Sequence, residues 1–307
     1  MPELPEVETI VRGLAGVLPG RVIREVHFPD SKLATGCLGC AEVLPGRSLA
    51  GVQRHGKYIR FLLDDGSSLV AHLRMTGKFV FTGPLAPQNP ARHLRMVLVF
   101  TDGSLLSFMD MRRFGTIRHV SPGETPPELR DLGPDPLQKE MTLPRFRAIL
   151  GKSRTAVKVL LLDQRRISGV GNIYACESLF RAGIDPRRPA DSLTSDEGAR
   201  LLRELRGILR EAIRHNSRRS LAPSSDVKES DEGARLLREL RGILREAIRH
   251  NGTTISDFRS VDDKTGEFQY WLRVYDREGE PCRVCGERIE RIRQAQRSTS
   301  FCPHCQV

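Results

Sequence analysis

Four cysteines near the carboxyl end constrain the fold of this chain more than any other feature. They form two Cys-x-x-Cys pairs separated by sixteen residues, and the four are Cys282, Cys285, Cys302 and Cys305. Thiolates at this spacing are typical of a tetrahedral zinc site, and four cysteine ligands leave no open position for catalysis. The sequence therefore predicts one structural Zn²⁺ that holds a hairpin in a last domain at 262–307, with His304 as a solvated spacer. Arg297 lies at the tip of this hairpin, where its guanidinium can reach a phosphate.

The charge of the chain indicates a polyanionic partner. The 307 residues include 49 Lys and Arg against 38 Asp and Glu, which gives a net charge of +11. A balance this basic favours a nucleic acid as the partner. No run of about 18 apolar residues predicts a membrane span, and the acidic start has no signal peptide pattern. We therefore expect a protein without membrane contact, in a compartment that keeps its cysteines reduced.

The first residues combine an amine with carboxylates. Removal of Met1 would leave Pro2 with a free secondary amine, which can attack an electrophilic sugar carbon and give an iminium. The next residues have the apolar spacing of a helix, whose dipole favours the neutral, nucleophilic form of the amine. Glu3 and Glu6 stand close by in the sequence, where a carboxylic acid can protonate a leaving group. The alternative is that these acidic residues only suit the dipole of a first helical turn.

Six apolar segments with a period of two follow, separated by turn signals such as Asp-Gly. They cover residues 22–28, 57–63, 68–73, 94–100, 104–108 and 116–120. This pattern predicts an antiparallel β-sandwich or barrel within residues 1–120, with the first helix at its front. Cys37 and Cys40 form an isolated Cys-x-x-Cys in this region. We interpret this pair as part of a loop insertion, since one such pair is weak support for a metal or redox site.

A linker and a helical domain come next. Residues 121–137 are rich in Pro, Gly and Glu, which predicts a linker before a domain at 138–261. Thr142 is expected to cap the first helix of this domain, and Gly183 is expected to close a later one. The helical segments predicted here cover residues 143–150, 158–162 and 172–181.

The Gly-Val-Gly-Asn sequence at 169–172 precedes one of these helices. Two helices joined by a turn, with this sequence in front, suggest a helix–two-turn–helix clamp on a DNA backbone. Backbone N–H groups at the start of the helix can hold a phosphate there. The alternative is that the glycines cap a helix that packs on its neighbour.

One helix of this domain is duplicated. Residues 195–216 recur without a change as residues 230–251, at an offset of 35 residues. Each copy has the pattern of an amphipathic helix whose arginines face outward; the inward residues of the first copy are Leu202, Leu205, Ile208, Leu209 and Ile213. Two identical units are too few for a solenoid, and we interpret them as a recent or engineered tandem duplication. One copy is expected to fill the place of the second clamp helix. The other loops out, packs elsewhere or mediates association of an otherwise monomeric protein.

Together, these features resemble the bacterial formamidopyrimidine-DNA glycosylase family over the whole chain outside the 35-residue insertion. The opening Pro2–Thr9 is close to that of the family and differs from the Pro-Glu-Gly-Pro-Glu of the related endonuclease VIII branch. The resemblance implies an α+β multidomain fold: an N-terminal helix with an antiparallel β-sandwich, a helix–two-turn–helix domain and a four-cysteine zinc-finger hairpin. It implies an enzyme that excises oxidised purines from double-stranded DNA and cleaves abasic sites, with one structural zinc ion.

The resemblance also implies roles for individual residues. Pro2 is expected to attack C1′ of the damaged nucleotide, Glu3 to help open the sugar ring and Glu6 to be a second acidic residue of the site. Lys57 is expected to contact a phosphate near the lesion and to assist catalysis. Taken alone, Lys57 would be interpreted as a solvated strand lysine.

Further DNA contacts are implied by the same resemblance. Three residues are expected to fill the space left by the extruded base: Met75, Arg112, which can hydrogen-bond the orphaned cytosine, and Phe114. Backbone contacts are expected from Lys158, Asn172 and Arg297. Without the resemblance, the Met and Phe residues would be assigned to the core.

The chain departs from the family pattern at a few positions. Arg74 stands where the family usually has Gly, Met111 where it often has Pro, and Ser300 where His is common. The lesion-capping loop of the family corresponds to residues 252–257, directly after the second copy of the repeat. If the wrong copy docks, this loop is displaced and base recognition fails, so a DNA-binding protein without catalysis is one alternative. Another alternative is an endonuclease VIII-like glycosylase for oxidised pyrimidines.

Overall fold

A computed structural model describes residues 2–30, 32–33, 37, 39–84, 93–220 and 268–307. Met1, the second repeat copy at 230–251 and the loop at 252–257 lie outside the described residues. The helices are α1 (Leu4–Ala15), α2 (Cys40–Val43), α3 (Pro127–Arg130), α4 (Leu143–Leu150), α5 (Val157–Leu162), α6 (Asn172–Ala182) and α7 (Ser195–Ser220). The strands are β1 (Ile23–His27), β2 (Leu49–His55), β3 (Tyr58–Leu63), β4 (Ser68–His72), β5 (Gly77–Thr82), β6 (Leu94–Phe100), β7 (Leu105–Asp110), β8 (Thr116–Val120), β9 (Glu290–Gln294) and β10 (Arg297–Phe301). None of the helices described is long and apolar enough to cross a membrane.

Two four-stranded antiparallel sheets form the N-terminal sandwich, which confirms the predicted fold class. Their strand orders are β1-β6-β7-β5 and β2-β3-β4-β8. The apolar faces of both sheets and the buried face of α1 share one core, in which Ile10, Phe61 and Phe108 are almost fully buried. Alternate residues along the strands supply this core, as the period of two predicts.

Strands β2 and β5 were not among the predicted segments. Strand β2 buries only Leu49 and Val52 completely, and these residues are three apart because a register shift between Leu49 and Gly51 interrupts the alternation. Strand β5 lies at a sheet edge beside β7, and three of its six residues are half-buried at its carboxyl end. Both strands therefore lack the regular alternation on which the sequence prediction depends.

Cys37 and Cys40 form a disulfide. Both side chains are buried in the sandwich core, and Cys40 begins the short helix α2. The turn that leads into α2 brings the two Cα atoms to 5.5 Å, a separation that suits a disulfide. The pair is thus a covalent link within the β1–β2 connection, so the expectation that the cysteines stay reduced was wrong for these two residues.

The helices α4 to α7 form a second core. The Thr142 side chain caps α4 by accepting a hydrogen bond from Arg145 N, and Gly183 ends α6 in a left-handed conformation, as predicted. The predicted linker contains the short helix α3. Leu4 of α1 is also buried in this second core, so the amino end of α1 is anchored between the helices.

The first copy of the repeat occupies the place of the second clamp helix. Its apolar stripe is buried against α1, α4 and α6, and the buried residues are Leu201, Leu202, Leu205, Ile208, Leu209, Ala212 and Ile213. This set contains every inward residue predicted from the amphipathic pattern. The helix begins with a reciprocal capping pair, in which Thr194 N donates to the Glu197 carboxylate at 2.8 Å and Glu197 N donates to the Thr194 hydroxyl at 3.3 Å.

Strands β9 and β10 form the predicted C-terminal hairpin. Its two-residue turn consists of Ala295 and Gln296, both with positive φ, which is the conformation of a tight type I′ turn. This turn leaves Arg297 exposed at the start of β10.

Candidate active site

The amino end of α1 docks on the glycine-rich segment before α6. Leu4 N donates a hydrogen bond to the carbonyl of Gly169 at 3.1 Å. Gly169 has φ +85°, and a Cβ at this position would lie 2.7 Å from Leu4 Cδ1, so only glycine allows this approach. Pro2 is buried at the same contact region. The segment at 169–172 therefore holds the start of the chain in place.

Glu3 is held by the first turn of α6. Its carboxylate accepts hydrogen bonds from Ile173 N at 3.0 Å and from Tyr174 N at 3.5 Å, and the side chain is 4% exposed. A Cβ at Gly171 would lie 2.2 Å from Glu3 Cδ, so the absence of a side chain there makes room for the carboxylate. An anion at the amino end of a helix is electrostatically favoured. Gly171 thus makes room for the Glu3 carboxylate in the free protein, and the phosphate contact predicted for this segment stays a prediction.

Glu6 lies beside Glu3 and keeps its proton more readily than an ordinary carboxyl. Burial, reinforced by the charge of Glu3, raises the pKa of Glu6 to about 7. The Tyr174 hydroxyl donates to Glu6 Oε1 at 2.6 Å, and Glu3 N donates to Oε2 at 2.9 Å. A buried carboxyl group with a pKa near neutral pH is suited to an acid or base role. No local sequence pattern indicates the contact with Tyr174, because it joins residues 168 positions apart.

Lys57 approaches this pair from the β2–β3 hairpin. Gly56, with φ +57°, and Lys57 form the two-residue turn of the hairpin, and the turn packs on Ser168. Lys57 is 6% exposed, and burial lowers the pKa of its ammonium, an effect that the Glu3 carboxylate opposes and the Arg297 guanidinium increases. Lys57 is therefore a buried lysine close to the carboxylates and not a solvated strand residue.

The zinc hairpin brings Arg297 to the same region, and Lys158 fixes the strand beside it. The Lys158 ammonium donates to the carbonyl of Ser298 at 2.7 Å and to the hydroxyl of Thr299 at 2.6 Å. Lys158 is fully buried, so its ammonium is not at the surface, where the predicted backbone contact would need it. Its geometry is that of a residue that positions the hairpin, and the DNA contact stays a prediction.

Asn172 is the first residue of α6. Its amide oxygen is buried and has no hydrogen-bond partner among the residues described. The Asn172 side chain lies close to the Tyr275 hydroxyl, which is on the segment that leads to the zinc hairpin. Asn172 thus stands where the amino end of α6 meets the C-terminal domain.

The three residues predicted to fill the space of the extruded base are grouped on one surface. Met75 is 41% exposed and Phe114 is 49% exposed, which sets them apart from core residues. The Arg112 guanidinium lies over the Phe114 ring at 5.0 Å. Large apolar side chains that face solvent in one cluster indicate a surface for interaction.

The four C-terminal cysteines fit a zinc ion. Their sulfur atoms all lie within 4.8 Å of one another, with Cys282 and Cys305 at 3.9 Å and Cys285 and Cys302 at 3.5 Å. A tetrahedron with Zn–S bonds of about 2.3 Å has edges of about 3.8 Å, close to both distances. These cysteines would hold one structural Zn²⁺. His304 is exposed and is not part of the cluster, as expected.

Three protein-family models match the chain. The model of the formamidopyrimidine-DNA glycosylase N-terminal domain covers residues 1–117, the model of the H2TH domain of the same enzymes covers 132–224, and a zinc finger found in FPG and IleRS covers 279–307. The three ranges coincide with the sandwich, the helical core and the zinc hairpin.

Curated relatives and solved structures agree with these models. The formamidopyrimidine-DNA glycosylase of Heliobacterium modesticaldum is 39% identical over 311 residues, with all of both chains covered. That of Moorella thermoacetica is 41% identical over 297 residues, with 95% of each chain covered. The crystal structure of MutM (Fpg) from Thermus thermophilus has a TM-score of 0.79 and 38% identity, covering 99% of this chain and 98% of that one. The Lactococcus lactis Fpg bound to DNA with an abasic site has a TM-score of 0.78 and 31% identity, with 99% of both chains covered. The chain belongs to the formamidopyrimidine-DNA glycosylase family.

Proposed function

We propose that this protein is a bifunctional DNA glycosylase and abasic-site lyase of base excision repair. Its substrates are oxidised purines in duplex DNA, namely 8-oxoguanine and formamidopyrimidines. The observation that carries the proposal is the Glu3 carboxylate, buried beside Pro2 and held by N–H groups of α6, with Lys57 close by. Two of the structural relatives support the substrate class, since their structures contain DNA with an abasic site and DNA with carbocyclic 8-oxo-G.

The target nucleotide is extruded from the duplex, because C1′ is out of reach in the base stack. After removal of Met1, the Pro2 nitrogen attacks C1′, the bond from C1′ to the base breaks, and the base leaves with a proton. The Glu3 carboxylate accepts the proton that the Pro2 nitrogen carries after its attack and passes it to the ring oxygen, so the sugar opens and an iminium forms between C1′ and Pro2.

The iminium is an electron sink that acidifies the proton on C2′. Loss of this proton expels the 3′ phosphate, and a second elimination expels the 5′ phosphate, so the strand is cut on both sides. Glu6, whose pKa is raised to about 7, is available in both protonation states at neutral pH. In this scheme, Lys57 stabilises the phosphate near the lesion.

The binding surface combines charge with an apolar wedge. Arg297, Lys57 and the start of α6 supply the phosphate contacts, and Met75 with Phe114 fills the space of the extruded base. The protein acts as a monomer on genomic DNA, which for a bacterial enzyme means the cytoplasm and the nucleoid. Affinity for the substrate duplex should fall steeply with salt, and a flat response across a salt series would contradict this surface.

The decisive experiment is borohydride trapping with a duplex that carries 8-oxoguanine opposite cytosine. We expect a covalent protein–DNA adduct, which is lost or weakened in the Pro2→Gly variant, and intact-mass analysis should show that Met1 is absent. A parallel duplex with thymine glycol tests the endonuclease VIII-like alternative, which preferential adduct formation on that duplex would support. Binding without any adduct would instead indicate a DNA-binding protein without catalysis.

A further inference from the structure

The loop between β7 and β8 carries two of the exposed DNA-contacting residues, Arg112 and Phe114. Arg113 lies between them with φ +57°, a left-handed conformation that an arginine adopts only when its surroundings hold it there. Since Arg112 and Phe114 project into solvent, contacts at the base of the loop must fix its shape.

One set of contacts holds the loop from inside. The buried Asp110 carboxylate accepts hydrogen bonds from Arg112 N at 3.2 Å and Gly115 N at 2.7 Å, and the Thr76 hydroxyl also donates to it. Arg112 N also donates a hydrogen bond to the Thr76 hydroxyl at 3.0 Å. These bonds fix both ends of the loop and leave the side chain and carbonyl of Arg113 to be held from elsewhere.

A second set of contacts reaches the loop from the segment after β1. One oxygen of the Asp30 carboxylate lies 3.5 Å from Arg113 Nε and 3.5 Å from Arg95 Nε. Its other oxygen accepts a hydrogen bond from Lys32 N at 3.0 Å, and the Lys32 ammonium donates to the Arg113 carbonyl at 3.3 Å. Asp30 is 6% exposed, so its charge is screened little by solvent.

Arg95 joins the two sets of contacts. Its Nε also donates to the carbonyl of Asp110 at 2.7 Å. Asp30 therefore places a carboxylate between two guanidinium groups, one at the base of the loop and one on its tip. Without its negative charge, Arg95 and Arg113 would repel each other, and Arg113, with a side chain 60% exposed, could turn to solvent.

The space beside these residues gives the loop room to move. A cavity of about 510 Å³ lies between the Asp30 segment and the loop, and Met75, Phe108 and Phe114 line it together with Asp30 and Arg113. Phe114 therefore has open volume on the side that faces Asp30. Asp30 and Arg113 are in contact at the lining of this cavity, and this contact opposes a movement of the loop into it.

We propose that Asp30 is a positioning residue: through Arg113 it holds the loop at 112–114 in the pose that reads the base opposite the lesion, and so it sets opposite-base discrimination. The inference rests on the proposed function, in which Arg112 hydrogen-bonds the orphaned cytosine. Asp30 itself touches no substrate in this scheme. Asp30 acts by fixing the shape of the loop. That shape decides whether Arg112 can hydrogen-bond a cytosine opposite the lesion or also accommodates a larger purine there.

The test is equilibrium binding to duplexes that contain a tetrahydrofuran abasic analogue opposite either cytosine or adenine. This analogue has no base to excise, so the result does not depend on catalysis. We expect Asp30→Asn to reduce the preference for the cytosine duplex over the adenine duplex by about fivefold. This is the size of a coupling between neighbouring residues of one network. Arg113→Gln should have the same effect without threatening the fold, and the double variant should add nothing to either single change.

A matched control is Asp64→Asn. The Asp64 carboxylate also accepts hydrogen bonds, from Ser48 N at 3.1 Å and the Ser48 hydroxyl at 3.0 Å, but it lies at another turn of the sandwich. The Asp64→Asn variant should have the same ratio of affinities for the cytosine and adenine duplexes as the unchanged protein. An unchanged ratio in both Asp30→Asn and Arg113→Gln would overturn the proposal, whereas a failure of the glycosylase function would appear separately as the absence of a borohydride adduct.

Discussion

Replacement of Gly171 by alanine should slow the enzyme strongly without unfolding it. The added Cβ would lie 2.2 Å from Glu3 Cδ and 2.4 Å from Oε1, against an ordinary contact of 3.4 Å or more, so the carboxyl group must move by about 1 Å. Gly171 has φ −129° and ψ −163°, which alanine adopts freely, so the backbone adds no strain. The change therefore acts on the position of Glu3 alone.

The size of the effect follows from this displacement. Misplacement of a catalytic group by about 1 Å costs about 100-fold in rate, or about 2.7 kcal/mol of transition-state stabilisation. The bond from Ile173 N to Glu3, now 3.0 Å, would be lost, and a buried carboxylate without this partner lowers the free energy of unfolding by about 1–3 kcal/mol. We thus expect a protein that is folded at 25 °C but slow.

Single-turnover excision of 8-oxoguanine and thermal unfolding measure the two effects. Gly207→Ala is the matched control: this glycine is exposed in the middle of α7, and its Cβ would meet nothing within 4 Å. The control should excise at the unchanged rate and gain about 0.5–1 kcal/mol of stability, because alanine is the better helix former. A Gly171→Ala protein with an unchanged excision rate would refute the role of Glu3 in this position.

Three further predictions concern acidity, the repeat and the metal. The pKa of Glu6 is about 7 in the folded state against an ordinary 4.5, so its contribution to stability is complete below pH 4.5 and is lost as the pH rises through 7. Between these pH values, the free energy of unfolding of the unchanged protein should fall by about 3 kcal/mol relative to that of Glu6→Gln, as measured by denaturation. Deletion of residues 217–251 keeps the residues of α7 whose burial the structure describes, up to Asn216, and shortens the chain between Asn216 and Phe268 from 51 residues to 16. The deletion should therefore raise the free energy of unfolding by about 1 kcal/mol in a denaturant titration. Removal of zinc by a chelator should abolish DNA binding in a gel-shift assay, since Arg297 depends on the hairpin, while circular dichroism of the β-sandwich persists.

Each of these predictions has a result that would contradict it. Equal pH profiles for the unchanged protein and Glu6→Gln would mean that Glu6 ionises normally. A deletion variant that unfolds more easily would mean that the removed residues stabilise the helical core. The deletion also has a useful property: removal of 195–229 gives the same protein, because the two copies of the repeat are identical. Undiminished DNA binding after zinc removal would mean that the position of Arg297 does not depend on the metal.

The features predictable from the sequence were those with a local chemical signature. The spacing of the cysteines determined the zinc hairpin, and the alternation of apolar residues determined most of the sandwich. Thr142 and Gly183 marked helix ends because a side-chain cap and a left-handed terminus have few alternatives in sequence. The stripe of the repeat predicted which face of α7 is buried, since one face of an amphipathic helix must be covered.

The remaining features depend on contacts between distant residues. The raised pKa of Glu6 arises from burial and from Glu3, and its partner Tyr174 is far away in the chain. Lys158 is buried because the zinc hairpin covers it, and the sequence of its own helix does not indicate this contact. A single Cys-x-x-Cys does not distinguish a disulfide from free thiols, because the bond depends on how closely the local backbone brings Cys37 and Cys40 together and on the redox conditions.

The attachment of Glu3 to α6 has a consequence for how this protein can be divided and recombined. The acid comes from the first residues of the chain, but the N–H groups that orient it lie near residue 173, and Leu4 is buried among the helices of that domain. Neither half alone contains a finished site. A chimera that joins the sandwich of one homologue to the helical domain of another must preserve the fit of Leu4 and Glu3 to the glycines at 169 and 171. Sequence changes on one side of this contact therefore require matching changes on the other side, and the residues at the boundary between the two domains tolerate substitution least.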